Sequence, residues 1–238
     1  MRKILCSVLS LVMCVGLFAN TVFAQSTPYL DVAFDATSFE TQSALITQNK
    51  VNFGETEDKI KYALFDKTKG QYMMLEENVF ANENTTVEMW VNLDETDTNE
   101  RALFSAGTTP ANHTYQATVA NGKLTVSLKH KTSGDTQTQS VDLPSDYVGK
   151  WIYFAFVETV SNGAVTVNAY INPASATATP LLTVGPFTMD STDYDNAFIG
   201  ATGSAQNPNK NNGLSGKIAA LRIYKNLKAH LFLLQATN

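Results

Sequence analysis

Three carboxylates stand close together in Glu95-Thr96-Asp97-Thr98-Asn99-Glu100. Two carboxylic acids held about 5–5.5 Å apart across a glycosidic bond can act as nucleophile and proton donor, and this run offers three acids within six residues. That chemistry needs a strand that aims the acids into one cleft, with apolar residues between them to anchor it in a core. Here the intervening residues are Thr96, Thr98 and Asn99, and the run lies past Leu93, where the strand pattern stops. A turn rich in Asp, Glu, Asn and Thr explains the same residues, so the segment is expected to be a solvated turn and no catalytic residue is assigned. The three histidines, His113, His130 and His230, have no metal-ligand spacing. His130, between Lys129 and Lys131, reads as a solvent-facing strand end. No Gly-x-Ser-x-Gly nucleophile elbow is present.

Binding without chemistry asks for different residues. Aromatic faces stack on the apolar faces of sugar rings, and amide side chains match sugar hydroxyls as donors and acceptors. Trp90 and Trp151 sit within strand patterns and are expected to pack in the core. Tyr115, Tyr147 and Tyr194 fall in or near expected loops. The stretch from Gly203 to Gly213 carries Asn207, Asn209, Asn211 and Asn212 and reads as an exposed loop. Tyr115, Tyr194, Asn207 and Asn211 are therefore the candidate ligand contacts, and no metal ligand is assigned. Asn84-Thr85-Thr86 and Asn112-His113-Thr114 are glycosylation sequons, which matter only in a host that modifies them.

These residues must be positioned by strands. Before the last dozen residues, no 12-residue stretch keeps a helical apolar period; short alternating runs bounded by turn residues dominate. The expected strands are 29–34, 59–65, 71–75, 85–93, 102–106, 114–119, 123–129, 138–143, 151–158, 165–171, 181–184, 197–200 and 214–224. Asn121-Gly122 and Asn162-Gly163 are hairpin turns, since that dipeptide tolerates positive φ. In Thr86–Asn92, Val87, Met89 and Val91 share one face, and Glu88, Trp90 and Asn92 the other. The 151–157 run is apolar on both faces, which predicts a central strand covered on both sides. The pattern is that of a two-sheet antiparallel β-sandwich in one domain.

Residues 1–24 have the layout of a secretory signal peptide: Arg2 and Lys3, an apolar run from Ile4 to Phe18, and Val22-Phe23-Ala24 before a cleavage point. The run is short for a membrane span. Cys6 and Cys14 both lie within it, so the expected mature domain, 25–238, has no cysteine and no disulfide. Without Arg2 and Lys3 it holds 15 basic against 22 acidic residues, a net charge of −7. A nucleic-acid or anionic-membrane partner calls for a basic face, which this balance argues against. The expected location is secreted, periplasmic or at the cell surface.

Six segments, in order, resemble the concanavalin A-like lectin/glucanase superfamily and its laminin G-like domains. They are Thr86-Val-Glu-Met-Trp-Val-Asn-Leu-Asp94, Arg101-Ala-Leu-Phe-Ser-Ala-Gly107, Gly149-Lys-Trp-Ile-Tyr-Phe-Ala-Phe-Val157, Val167-Asn-Ala-Tyr-Ile-Asn-Pro173, Ala197-Phe-Ile-Gly-Ala201 and Leu214-Ser-Gly-Lys-Ile-Ala-Ala-Leu-Arg-Ile-Tyr224. The resemblance implies a jelly-roll β-sandwich. It does not choose a function, because the superfamily holds lectins, adhesive modules and glucanases, some with the acidic spacing seen at 95–100. In many relatives an acid follows Gly-Lys-Ile and helps hold a structural calcium; here Ala219 and Ala220 stand there. Calcium wants six to eight oxygens, so this departure counts against it; Asp35 is the remaining candidate ligand and no cofactor is expected. The family's closing acidic helix is replaced by Lys225–Asn238, with Leu227, Leu231 and Leu234 at helical spacing. The expected function is an exported, non-catalytic recognition module for carbohydrate or a surface protein. A glycoside hydrolase of the same fold, or a structural or adhesive module of a larger surface assembly, is the alternative.

Overall fold

The computed structural model describes residues 28–32, 34, 45–49, 51–76, 79–80, 83–94, 98–109, 112–130, 132–175, 178–189, 196–204, 207–209 and 212–225. The expected leader and the leucine-bearing end at 226–238 lie outside them. In chain order the strands are β1 (Leu30–Asp31), β2 (Leu45–Asn49), β3 (Asn52–Glu55), β4 (Lys61–Phe65), β5 (Tyr72–Leu75), β6 (Thr85–Leu93), β7 (Arg101–Thr109) and β8 (Asn112–Ala120). They continue with β9 (Lys123–Lys129), β10 (Thr136–Asp142), β11 (Trp151–Ser161), β12 (Ala164–Ile171), β13 (Leu182–Thr188), β14 (Asn196–Ile199), β15 (Thr202–Ser204), β16 (Asn207–Asn209) and β17 (Gly216–Lys225).

Two antiparallel sheets result. The larger runs β13-β12-β11-β6-β17-β4-β3, with β1 also paired to β17, and the smaller runs β10-β9-β8-β7-β14-β5-β2. The alternation seen in the sequence sets their facing surfaces. Val87, Met89, Val91 and Leu93 of β6 and Ile152, Phe154 and Phe156 of β11 are buried in one core with Leu124, Val126 and Leu128 of β9. At its centre the Phe104 ring lies 5.0 Å from Phe156, 5.0 Å from Tyr115 and 5.6 Å from Phe80, centroid to centroid. Phe104 and Phe156 come from opposite sheets, so this contact ties the two layers. β11 is third from the β13 edge and buried on both faces from Ile152 to Val157, as its unbroken apolar run predicts. The β8–β9 hairpin turns through Asn121 (φ 49°) and Gly122 (φ 71°), and β11–β12 turns through Asn162 and Gly163 in the same way.

The structure corrects three strand-level expectations. β2 and β3 were not evident in the sequence; both are short and stand at or next to sheet edges. The asparagine-rich stretch is not simply a loop, because β15 and β16 pair as a ribbon with Thr202 opposite Asn209. The ribbon is tied to the smaller sheet where the Ser105 hydroxyl donates to the Ala201 carbonyl at 3.0 Å, and Thr202 is fully buried.

Candidate functional site

On the outward face of the larger sheet, where polar side chains are expected, the strand alternation instead presents rings. β6 contributes Trp90, β11 Trp151 and Tyr153, β12 Tyr170, β4 Tyr62 and β17 Tyr224. Register brings several of them together. Trp90 stands opposite Tyr153 on one side and Ala219 on the other, and Tyr170 stands opposite Ala155. The Trp90 and Tyr153 rings are 5.5 Å apart and those of Tyr62 and Trp151 are 6.3 Å apart. Tyr62 and Trp151 belong to strands separated by β17 and β6, so their rings meet above Lys217 and Asn92, which face each other in the intervening ladder. Trp90, Trp151, Tyr62 and Tyr170 are half-buried, with part of each ring open to solvent. Tyr153 and Ala155 are closed off and form the floor of a second apolar cluster against which Trp90 and Tyr170 pack. At Ala219 the sequence departs from the acidic pattern; the side chain is buried directly opposite Trp90, and a carboxylate there would have to be desolvated beside the indole.

Polar groups frame the rings. The Asn92 amide donates to the Gly149 carbonyl at 2.9 Å. The Lys217 ammonium lies 5.8 Å from the centre of the Tyr62 ring and 3.7 Å from Asp94. Asp94 also borders a cleft of about 390 Å³ lined by Asn52, Leu64, Asp66, Lys69 and Ser215. Lys217 therefore joins the aromatic face to this cleft. At the other end Glu88 is fully buried, with the hydroxyl of Tyr153 hydrogen-bonded to it. Burial first, and Glu88 second, push the Tyr153 hydroxyl well above the usual phenol range and that of Tyr224 up to about 12. Both rings stay neutral at any physiological pH. Arg222 donates to Asp31 at 3.1 Å beside them.

The loop at the cleft is held by Asp66, whose carboxylate accepts from the Thr68 amide (2.9 Å) and hydroxyl (2.6 Å) and pairs with Lys69 at 2.8 Å. Lys69, then Thr68, lower its carboxyl from 3.8 to about 2. A carboxyl depressed on folding adds stability above its unfolded pKa and loses it as pH falls through the folded one. The melting-temperature gap between the wild type and Asp66→Asn is thus expected to be full above about pH 4 and to close toward about pH 2 in thermal melts. Solvent screening of this exposed group keeps the gap small.

The sequence-predicted contacts do not gather here. Tyr115 is in β8, not a loop; it is fully buried with its ring edge-on to Phe104 and Phe80. The expectation that it meets a ligand is corrected: with no solvent-open atom it is a core residue. Its hydroxyl has no hydrogen-bond partner among the described residues, and burial, then Glu158, raise its pKa far above the usual value. Tyr115→Phe removes an unsatisfied buried group and is expected to raise stability by about 1 kcal/mol, seen as a higher denaturation midpoint. Tyr147 is also buried. Asn207 has its backbone in β16, while Tyr194 and Asn211 lie outside the described residues. So do Asp35, His230, Glu95 and Asp97. Glu100 is exposed just before β7. His130 caps a turn, its Nδ1 accepting from the Thr132 and Ser133 amides. Trp90 and Trp151 are likewise corrected, from core residues to half-open rings on an outer face. The signal for Trp90 was its phase with Glu88 and Asn92, opposite to Val87 and Met89. Among the described residues no three His, Cys, Asp or Glu side chains group as a metal site would require.

An antiparallel β-sandwich with an aromatic outer sheet face is the class of molecule this geometry defines. Residues 66–228 match the Laminin_G_3 family of the concanavalin A-like lectin/glucanases superfamily, and the chain belongs to that family. No curated protein sequence matches it. Among solved structures it is similar to the botulinum neurotoxin serotype D binding domain (TM-score 0.58, 14% identity, 85% of this chain and 49% of that one). It is also similar to the receptor-binding domain of botulinum neurotoxin type G (0.58, 12%, 86% and 49%). The binding domain of Paraclostridial Mosquitocidal Protein 1 is a third (0.58, 13%, 85% and 48%). The chain spans about half the length of each, and at these identities the likeness is one of fold. Among the described residues no helix is long and apolar enough to cross a membrane.

Proposed function

We propose that this chain is an exported, non-catalytic recognition module that takes carbohydrate on the outward face of its larger sheet. The observation that carries this reading is the set of four half-open rings, Tyr62, Trp90, Trp151 and Tyr170, on one sheet face, flanked by Asn92 and Lys217. Sugar rings present axial C–H faces that settle on such rings, and their hydroxyls find the amide and ammonium groups. The membership in a superfamily of lectins and glucanases, and the likeness in fold to neurotoxin binding domains, support a binding role.

Retention on immobilised polysaccharides, with indole fluorescence as a second readout, tests it. Each stacked ring contributes about 0.5–1.5 kcal/mol beyond its buried area, so Trp151→Ala should weaken glycan affinity about three- to tenfold while the protein still melts cooperatively. Binding that Trp151→Ala and Tyr62→Ala both leave intact would move the site elsewhere. No retention on any polysaccharide would end the glycan reading.

A further inference from the structure

Among the described residues, the strands that end the two sheets, β3 and β13 in the larger and β2 and β10 in the smaller, are not alike. β3 is four residues long. β2 pairs with β5 through a register shift. β13 carries Pro186, which has no amide hydrogen to offer, and its ladder to β12 is also shifted. Short edges, prolines and bulges are the usual ways a sheet avoids adding a further strand. β10 has none of them. Its seven residues, Thr-Gln-Thr-Gln-Ser-Val-Asp, pair with β9 without a break from Thr136↔Lys129 to Asp142↔Lys123. It carries no lysine, arginine or proline, and six of its seven residues are exposed. β13 of the facing sheet comes near it but forms no ladder with it.

From this edge we propose that two copies of the chain join, β10 against β10 in antiparallel fashion, merging their smaller sheets into one continuous sheet. The strand is complementary to itself. A twofold axis through Gln139 is the one symmetric register that pairs all seven residues. It sets Thr138 opposite the partner's Ser140, Gln137 opposite the partner's Val141, and Thr136 opposite the partner's Asp142. No like charges meet, since Asp142 is the only charged residue in the strand and faces a threonine hydroxyl. The new pairs continue a ladder already built within the chain. Thr125 and Ser140 hydroxyls are 2.8 Å apart and those of Ser127 and Thr138 are 2.9 Å apart, and hydroxyl pairs across strands are favourable. A twofold contact uses the same patch twice and closes on itself, so assembly stops at two copies. A seven-residue ladder buries less than a standard interface, which makes the association concentration-dependent.

Sedimentation of the purified protein over a concentration series tests this. The wild type should move from one to two chain masses as concentration rises. Gln139→Lys and Gln139→Glu each bring like charges together on the axis and should remain single at every concentration, while their equimolar mixture, with opposite charges meeting, should recover the double mass. Position 139 is exposed, so both variants should keep the wild-type melting temperature, and the recovered mixture shows that both fold. A wild type that stays single throughout would overturn the proposal. So would variants that pair as well as the wild type, or a mixture that fails to pair. None of these outcomes depends on glycan binding.

Discussion

Phe104→Ala is expected to cost about 3–5 kcal/mol of folding stability, the range for truncating a fully buried phenylalanine. Phe104 is fully buried, and its ring contacts span the sandwich, reaching Phe156 in the larger sheet, Tyr115 in the smaller one and Phe80 in the turn between β5 and β6. Truncation therefore removes transfer free energy and opens a void that both sheets border. Two of the bordering rings, Phe156 and Tyr115, are held by strand backbones and cannot collapse to fill it, which places the loss toward the upper part of the range. Urea denaturation should show a lower midpoint with little change in slope. A loss under about 1 kcal/mol would mean that the sheets are held elsewhere than at this contact.

The second large effect comes from backbone rather than a ring. Gly216 opens β17 at φ 148°, where it pairs with Leu93 on one side and Phe65 on the other. A Cβ at this position would lie 2.2 Å from the Asn92 carbonyl oxygen and 3.1 Å from the Leu93 Cα. Both obstacles are main chain, so no rotamer change relieves them. The φ strain costs about 1–3 kcal/mol, and forcing two paired strands apart adds a similar amount. Gly216→Ala should then lose about 2–6 kcal/mol in the same denaturation experiment, although it adds a single methyl group. Because Asn92 and Lys217 lie beside it, the substitution should also weaken any ligand held between Tyr62 and Trp151.

Alternation made most of the sandwich legible. The runs at 85–93, 123–129 and 165–171 are strands where expected, because every second residue faces the opposite sheet and the period survives in the sequence, and 151–158 is one because its unbroken apolar run marks a strand covered on both faces. Alternation also contained more than was read from it. Tyr115 shares its phase with Ala117 and Val119, and starting the strand at Asn112 rather than Thr114 makes it an interior residue at once. Trp90 shares its phase with Glu88 and Asn92, which marks an outer face despite its size. The Asn-rich ribbon was hidden for another reason. Asn207-Pro208-Asn209 has little intrinsic strand preference, and its pairing depends on packing against the smaller sheet. What no local pattern could supply is adjacency. Tyr62 and Trp151 are far apart in the chain and in strands that do not touch, and they meet because β17 enters between β4 and β6.

That insertion bears on how the molecule comes to exist. β17 is the last strand of the larger sheet in chain order, yet it sits near its middle, with β6 on one side and β4 and β1 on its other edge. Until residues 216–225 have left the ribosome, β4 and β6 have no backbone to share, and the rings above them have no common floor. A chain built this way closes its largest loops last, which slows folding.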